Sequence, residues 1–222
     1  MRETRLLVIL GVIIPILFVI GCEEKSVVQP GETKNMIDVH IGIDDASVSA
    51  LSDLLPNNTF GFVITGFDRA SVGVGLSGGG DSLTSRAIFR FNVSDINESV
   101  DLHLYCISKI GSPGNVEVYI VNDSGTLHDS EGPQPENVSN IWNLIDIGIK
   151  LTEIKPSENG WSEINIPFST IVEKRRKDGY ITIMVKLADE NIDPTNVYEF
   201  STFEYAQSHG GNGPYLSYVS QT

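Results

Sequence analysis

Four stretches of this chain alternate apolar and polar residues with a period of two, and that period restricts the fold more than any other feature. Ile37, Val39, Ile41 and Ile43 share one side of their run, and Ala87, Phe89 and Phe91 alternate with Arg86 and Arg90. Val116, Val118 and Ile120 alternate with Glu117 and Tyr119, while Ile181, Ile183, Val185 and Leu187 alternate with Thr182, Met184 and Lys186. Successive side chains of a strand point to opposite faces, so runs of this kind bury one face in a sheet. Gly, Pro, Asn, Asp and Ser separate them, about ten strands are expected, and an all-β sandwich follows. One segment departs from the period. Phe168 to Lys177 opens with Ser169 or Thr170 as an N-cap and stops before Gly179, so one short helix is expected between two strands.

The N-terminus has another texture. Arg2 and Arg5 precede an apolar run, Leu6 to Ile20, interrupted by Gly11 and Pro15. That run has the length of a signal-peptide h-region and falls short of the roughly 20 residues a membrane span needs. It ends in Val19-Ile20-Gly21-Cys22, which resembles a prokaryotic lipobox, where the cysteine takes a lipid and becomes the first residue. The alternative is an uncleaved, Pro-containing anchor helix; either way the chain is exported and held at the extracytoplasmic side of the cell envelope. The expected organisation is a lipoprotein signal peptide over 1–21, a flexible tether over 22–36, polar and containing Pro30-Gly31, and one β domain over 37–222.

Charge narrows the partners. The whole chain carries −14, from 15 Lys and Arg against 29 Asp and Glu; losing Arg2, Arg5 and Glu3 leaves 13 against 28. So acidic a surface repels phosphate backbones, and no nucleic-acid partner is expected. With Cys22 assigned to lipid, Cys106 is the only other cysteine, and it shares a face with Val100, Leu102 and Leu104. It reads as a small buried hydrophobe, and no disulfide framework can form.

Sites of chemistry are few. Gly73-Val74-Gly75-Leu76-Ser77-Gly78 matches a dinucleotide fingerprint in letters, but it runs on into Gly79-Gly80-Asp81 with no helix to follow, so an inter-strand loop is expected. His40, His103, His128 and His209 lack metal-type spacing, and His40 and His103 fall on polar faces, where they are expected to be exposed. Asp44-Asp45, Asp81, Asp189-Glu190 and Asp193 read as solvated loop acids, with a structural calcium as the alternative. Lys174-Arg175-Arg176-Lys177 reads as a solvated helix end. No catalytic residue, cofactor or metal is assigned. Five Asn-X-Ser/Thr sequons begin at Asn57, Asn92, Asn97, Asn122 and Asn137, which would be glycosylated in an archaeon and mean little in a bacterium.

The order of motifs resembles the DNRLRE domain family. Asn58-Thr59-Phe60-Gly61, Ser71-Val72-Gly73-Val74-Gly75 and the run Ser85-Arg86-Ala87-Ile88-Phe89-Arg90-Phe91-Asn92 are similar to its opening. Val100 to Ser108, Val116 to Asn122, Trp142, Gly160-Trp161 to Val172, Phe200 to Glu204 and Pro214 to Val219 are similar to its later segments. Asn92 stands where the family has Asp, Ile166-Pro167 interrupts its D-V-T element, and Thr202-Phe203 replaces its Ser-Arg. The resemblance implies a jelly-roll-like antiparallel β-sandwich of secreted and cell-surface proteins, some of them carbohydrate-binding.

Two functions are expected of such a chain. The first is a lipid-anchored, noncatalytic surface module that binds polysaccharide or glycan, with Trp142 and Trp161 as stacking platforms beside Asn137, Asn140, Asn143, Glu158 and Asn159. The second is a structural or adhesive envelope protein that contacts other envelope proteins. A polysaccharide lyase or glycosidase is the minority reading. If Cys22 takes the lipid, Cys22→Ser will move the protein from the membrane to the soluble fraction of its native host and abolish labelling by lipid precursors. Unchanged membrane retention would support the anchor helix instead.

Overall fold

The computed structural model describes residues 32–39, 44–51, 61–76, 80–128, 130–132 and 136–221, all within one compact unit, Gly31–Thr222. Residues 1–21, expected as a signal peptide, Cys22, His40, Asn57 and residues 77–79 lie outside the described residues. In chain order the strands are β1 (Glu32–Asp38), β2 (Asp45–Leu51), β3 (Gly61–Thr65), β4 (Arg69–Leu76), β5 (Ser82–Asn92), β6 (Val100–Ile110), β7 (Val116–Val121), β8 (Ser130–Gly132), β9 (Ile149–Ile154), β10 (Gly160–Ile166), β11 (Tyr180–Leu187), β12 (Asn196–Ser201) and β13 (Tyr215–Gln221). Three short helices interrupt them: α1 (Glu136–Trp142), continued by a 3-10 turn over Asn143–Ile147, α2 (Phe168–Lys177) and α3 (Phe203–His209). Among the described residues no helix is long and apolar enough to cross a membrane.

All strand pairings are antiparallel and join into one sheet. The sheet divides at β5. One edge of β5 pairs with β2; the other pairs first with β4, over Ser82–Ser85, and then with β11, over Ala87–Asn92. From β11 one limb continues through β7 to β9, and from β4 the other continues through β12 to β6. Strand β6 divides again, with β12 and β13 on one edge, β10 on the other, and β1 beyond β13. The two limbs curl toward each other around a common core. Phe89, Phe91, Val118, Ile183 and Val185 from one limb meet Leu102, Leu104, Cys106, Tyr198 and Phe200 from the other, all essentially buried. The buried Cys106 thiol is pushed up to about 11 by that burial.

The limbs part at a glycine. Gly73 pairs with Val197 of β12 on one side and Ser85 of β5 on the other. Its φ is +153°, and a Cβ there would sit 2.2 Å from the Asn196 carbonyl oxygen. Glycine alone permits that approach. Gly73 to Leu76 therefore belong to strand β4, where the sequence suggested a loop, because a glycine run can mark a close backbone crossing as well as a turn.

The period-two reading holds for the inner faces but misses a second layer. Strands β5 and β11 are buried on both faces. Their outer face carries a second core of Ala46, Val48, Val63, Ile88, Met184 and Leu127, closed by Ile141, Trp142 and Ile145 from α1 and the following turn. Arg86 and Arg90 lie on that face beside Ile88, each about 8% exposed. They are buried because they are paired. The Arg86 fork donates to both carboxylate oxygens of Glu190, at 2.9 and 2.8 Å, and its Nη1 donates to the Trp142 carbonyl. Arg90 donates to both oxygens of Asp123 and to Asp44, at 2.7, 3.2 and 3.0 Å, with its guanidinium 3.4 Å from the Tyr180 ring centroid. Planar, bidentate pairing of this kind lets an arginine leave water where a lysine would not.

Three more expectations are revised. The helix over Phe168–Lys177 is present, but Pro167 rather than Ser169 or Thr170 occupies its N-cap, and two further helices accompany it. The basic run is not free in solvent: Lys174 is buried and donates to the Val121 carbonyl, Arg175 holds the Ile96 carbonyl and Asn97, and Lys177 holds Asn122. Strand β1 reaches back to Glu32 along β13, into the stretch expected as tether.

Removing the Arg90 guanidinium leaves the buried Asp44 carboxylate without it, and breaking a buried pair at one end costs about 3–5 kcal/mol. Arg90→Ala should lower the stability measured by urea denaturation by that amount. Arg176→Ala, at an exposed position on α2, should change it by no more than about 0.5 kcal/mol.

Candidate functional site

The two tryptophans occupy opposite settings. Trp142 ends α1 and is a plug: 4% exposed in the second core, with the Arg86 guanidinium 3.8 Å above its ring centroid. It offers no face to a ligand, because α1 turns it down onto the outer face of β5, where Arg86 lies against its ring. Trp161 begins the outward face of β10 and is 43% exposed.

The surroundings of Trp161 follow from register. Leu102, Leu104 and Cys106 of β6 point into the core, so Asp101, His103 and Tyr105 point outward. Antiparallel pairing sets Trp161 opposite Tyr105, Glu163 opposite His103, and Asn165 opposite Asp101. On the other edge of β6, Tyr215 faces His103 and Ser217 faces Asp101, and β1 adds Asp38 beside Tyr215 and Met36 beside Ser217. Three adjacent strands, β10, β6 and β13, thus bring one aromatic row to a single outer face, with β1 beside it.

The rings touch. Trp161 lies 5.1 Å from Tyr105 and 5.4 Å from Tyr215 between centroids, and His103 stacks on Tyr215 at 4.3 Å with an interplanar angle of 11°. His103 is the floor of this row. It is buried, where the sequence suggested exposure, because the neighbouring strands place Trp161 and Tyr215 over it. Its Nε2 is 2.9 Å from the Ser217 hydroxyl, and its Nδ1 is 3.7 Å from Glu163. Burial holds the imidazole below its ordinary pKa against the pull of Glu163, so the neutral ring is favoured at neutral pH.

A hollow of about 270 Å³ opens beside Trp161, walled by Met36, Asp38, Tyr215, Pro214 and, from α3, Phe203 and Ala206. Polar groups border the aromatic row: Asp38, Glu163, and Asn165, whose amide donates to Asp101 at 2.9 Å. An exposed indole with hydrogen-bonding groups at its margin suits a ligand that is apolar on its face and polar at its rim. Tyr105, His103 and Tyr215 escape a reading by motif. The signal available was the two-residue spacing of His103 and Tyr105 on the face opposite Leu102 and Leu104.

A larger cleft of about 550 Å³ lies between β2, β3 and β4, lined by Ser47, Ser49, Ser71 and Ser85 with Phe67, Asp68 and Arg69 at its edge. Three of these four hydroxyls already serve the protein. Ser49 and Ser85 bond each other at 2.7 Å, and Ser47 accepts the Ser71 N–H. No protein-family model matches this chain, and no curated protein matches it.

The contrast between the indoles is measurable. Trp142→Ala should cost about 3–5 kcal/mol, as truncation of a buried aromatic does. Trp161→Ala should cost about 1 kcal/mol, within the ordinary range of a partly exposed position. Thermal or urea unfolding of the two variants checks the order; equal losses would place Trp161 in the core.

Proposed function

We propose that this chain is a lipid-anchored, noncatalytic cell-surface module that binds polysaccharide or glycan through the Trp161 face. The observation that supports the reading is the exposed Trp161 indole on a row of aromatic rings bordered by Asp38, Glu163 and Asn165. Pyranose rings present polarised C–H groups on their faces and hydroxyls around their rims, the complement of such a row. The acids bordering it, Asp38, Asp101 and Glu163, with Lys34 farther along β1, favour neutral or amino sugars over uronates by simple charge repulsion.

The fold and the anchor fit the same reading. Motifs resembling the DNRLRE family lie on successive strands: Val72-Gly73-Val74-Gly75 on β4, Arg86 to Phe91 on β5, Leu102 to Cys106 on β6 and Trp161 on β10. The curled sheet is compatible with that family's jelly-roll-like sandwich. Cys22, as the lipidated residue, would keep the module at the extracytoplasmic side of the envelope. Binding by stacking needs no catalytic group, and His103, under the rings and bonded to Ser217, is spent on holding the face.

A second reading, a structural protein that contacts envelope partners, draws on another edge. Among the described residues β9 pairs only with β7, and Ile147 just before it and Ile149 at its start are 69% and 58% exposed. An unpaired strand edge with exposed aliphatic residues is a place for another chain to add.

Retention on a panel of insoluble polysaccharides, followed by calorimetric titration with soluble fragments, separates the two. The glycan reading expects a neutral or amino-sugar polymer to retain the protein, and Trp161→Ala to weaken binding at least about tenfold with the fold intact. No retention across the panel, or retention indifferent to Trp161, removes that reading in favour of the second.

A further inference from the structure

Asp45 opens β2 and is 1% exposed, although the sequence suggested a solvated loop acid. Its Oδ2 accepts the Phe203 N–H at 2.8 Å, while its Oδ1 is buried and has no hydrogen-bond partner. Phe203 starts α3. Its successor Glu204 has both carboxylate oxygens buried and unpartnered, and Ser201, two residues before Phe203, is 1% exposed with an unpartnered hydroxyl oxygen. Among the described residues neither Asp45 nor Glu204 forms an ion pair. The neighbouring acid Asp44 is different, being held by Arg90.

Four orphaned oxygens thus belong to three residues on β2 and the β12–α3 corner, three from two carboxylates that feel each other's charge and one from a neutral hydroxyl. Buried polar atoms are nearly always satisfied, and a buried carboxylate without a partner is costly. Burial, together with the charges of Glu204 and Asp44, pushes the Asp45 carboxyl up to about 7 despite the bond from Phe203. One shared proton would satisfy two of the four oxygens, one on each carboxyl group. It would leave the second Glu204 oxygen and the Ser201 hydroxyl where they are. A divalent cation held by both carboxylates and the hydroxyl would satisfy all four and balance both charges.

We infer that Asp45, Glu204 and Ser201 form a binding site for one calcium ion. The donors are all oxygens, which excludes the preference of zinc and copper for nitrogen and sulfur. A carboxylate with two free oxygens suits the irregular coordination of calcium, whereas magnesium keeps several waters and a strict octahedron that a buried site does not accommodate. Among the described residues no group of three or more His, Cys, Asp or Glu is gathered to hold a metal. The remaining ligands would have to be carbonyl oxygens or water. The ion would join β2 to the β12–α3 corner, residues 158 positions apart in sequence at the Phe203–Asp45 bond.

The test uses the full chain, stripped of metal with a chelator and desalted. Titration with calcium chloride alone should show one saturable site by calorimetry. It should also raise Tm by about 5–10 °C at roughly 100 times Kd, with magnesium chloride much weaker. Glu204→Gln, nearly isosteric, should weaken calcium binding at least about hundredfold, and Ser201→Ala about tenfold. Asp193→Asn, in an exposed loop acid, should bind calcium as the wild type does. Absence of saturable calcium binding by the wild type, equal binding by wild type and Glu204→Gln, or magnesium binding as tight as calcium would each overturn the assignment. A Glu204→Gln variant more stable than a wild type indifferent to calcium would show that the carboxyl groups share a proton.

Discussion

The pairing of two arginines inside the molecule lets β5 be buried on both faces, and the rest of the architecture is arranged around that strand. A strand between two cores ordinarily reads as a continuous apolar run. Here Arg86 and Arg90 flank Ile88 on the outer face, and each guanidinium is satisfied by carboxylates brought in from distant loops. Glu190 follows β11, Asp123 follows β7, and Asp44 precedes β2, so the two pairs draw three separate loops onto one strand. Ring faces complete the enclosure, Trp142 over Arg86 and Tyr180 against Arg90. Such pairs contribute little net stability against an apolar substitute, yet removing one partner is expensive. They therefore act more on which loops dock where than on how strongly the core holds.

The same strand determines where a ligand face can lie. Because β5 and β11 carry the second core and α1 on their outer side, that side of the limb is covered. Among the described residues the limb of β10, β6, β13 and β1 has no such cover over its aromatic row, and its outward residues include Trp161, Tyr105 and Tyr215. Gly73 stands at the division: it ends the pairing of β4 with β5 and lies so close to β12 that only glycine fits.

Much of this was readable from periodicity and some of it was not. The strands over 87–91, 116–120 and 181–187 and the helix over 168–177 appear where alternation and its interruption put them, because local pattern and tertiary burial agree there. Helix α3 was missed though its signals were local: Thr202 caps it by accepting the Tyr205 N–H, and Gly210, at φ +81°, ends it. The burial of Arg86, Arg90 and Asp45 was beyond a one-chain-segment reading, since each depends on residues far away in sequence. Of the two tryptophans proposed as platforms, only Trp161 is exposed. A turn-like neighbourhood could not distinguish it from Trp142, whose position is decided by α1 folding over a face that the alternation marked as polar.

Helix α3 connects the two regions to which function is ascribed. Phe203 donates its amide to Asp45 at the orphaned oxygens, and its residue also walls the hollow beside Trp161, together with Ala206. The helix is only seven residues long, too short to be stable by itself, so its position depends on what holds its first turn. Thr202 supplies one attachment, its hydroxyl reaching the Phe67 carbonyl at 2.6 Å, and the Phe203–Asp45 bond supplies another. A cation at Asp45 and Glu204 would add a third through the adjacent residue. The wall of the hollow would then be firm only as far as the charges beneath it are neutralised. Trp161 stands on β10, which among the described residues pairs with β6, so the aromatic row would persist when the first turn of α3 loosens. Stacking on Trp161 and closure of the hollow are accordingly separable properties of one face.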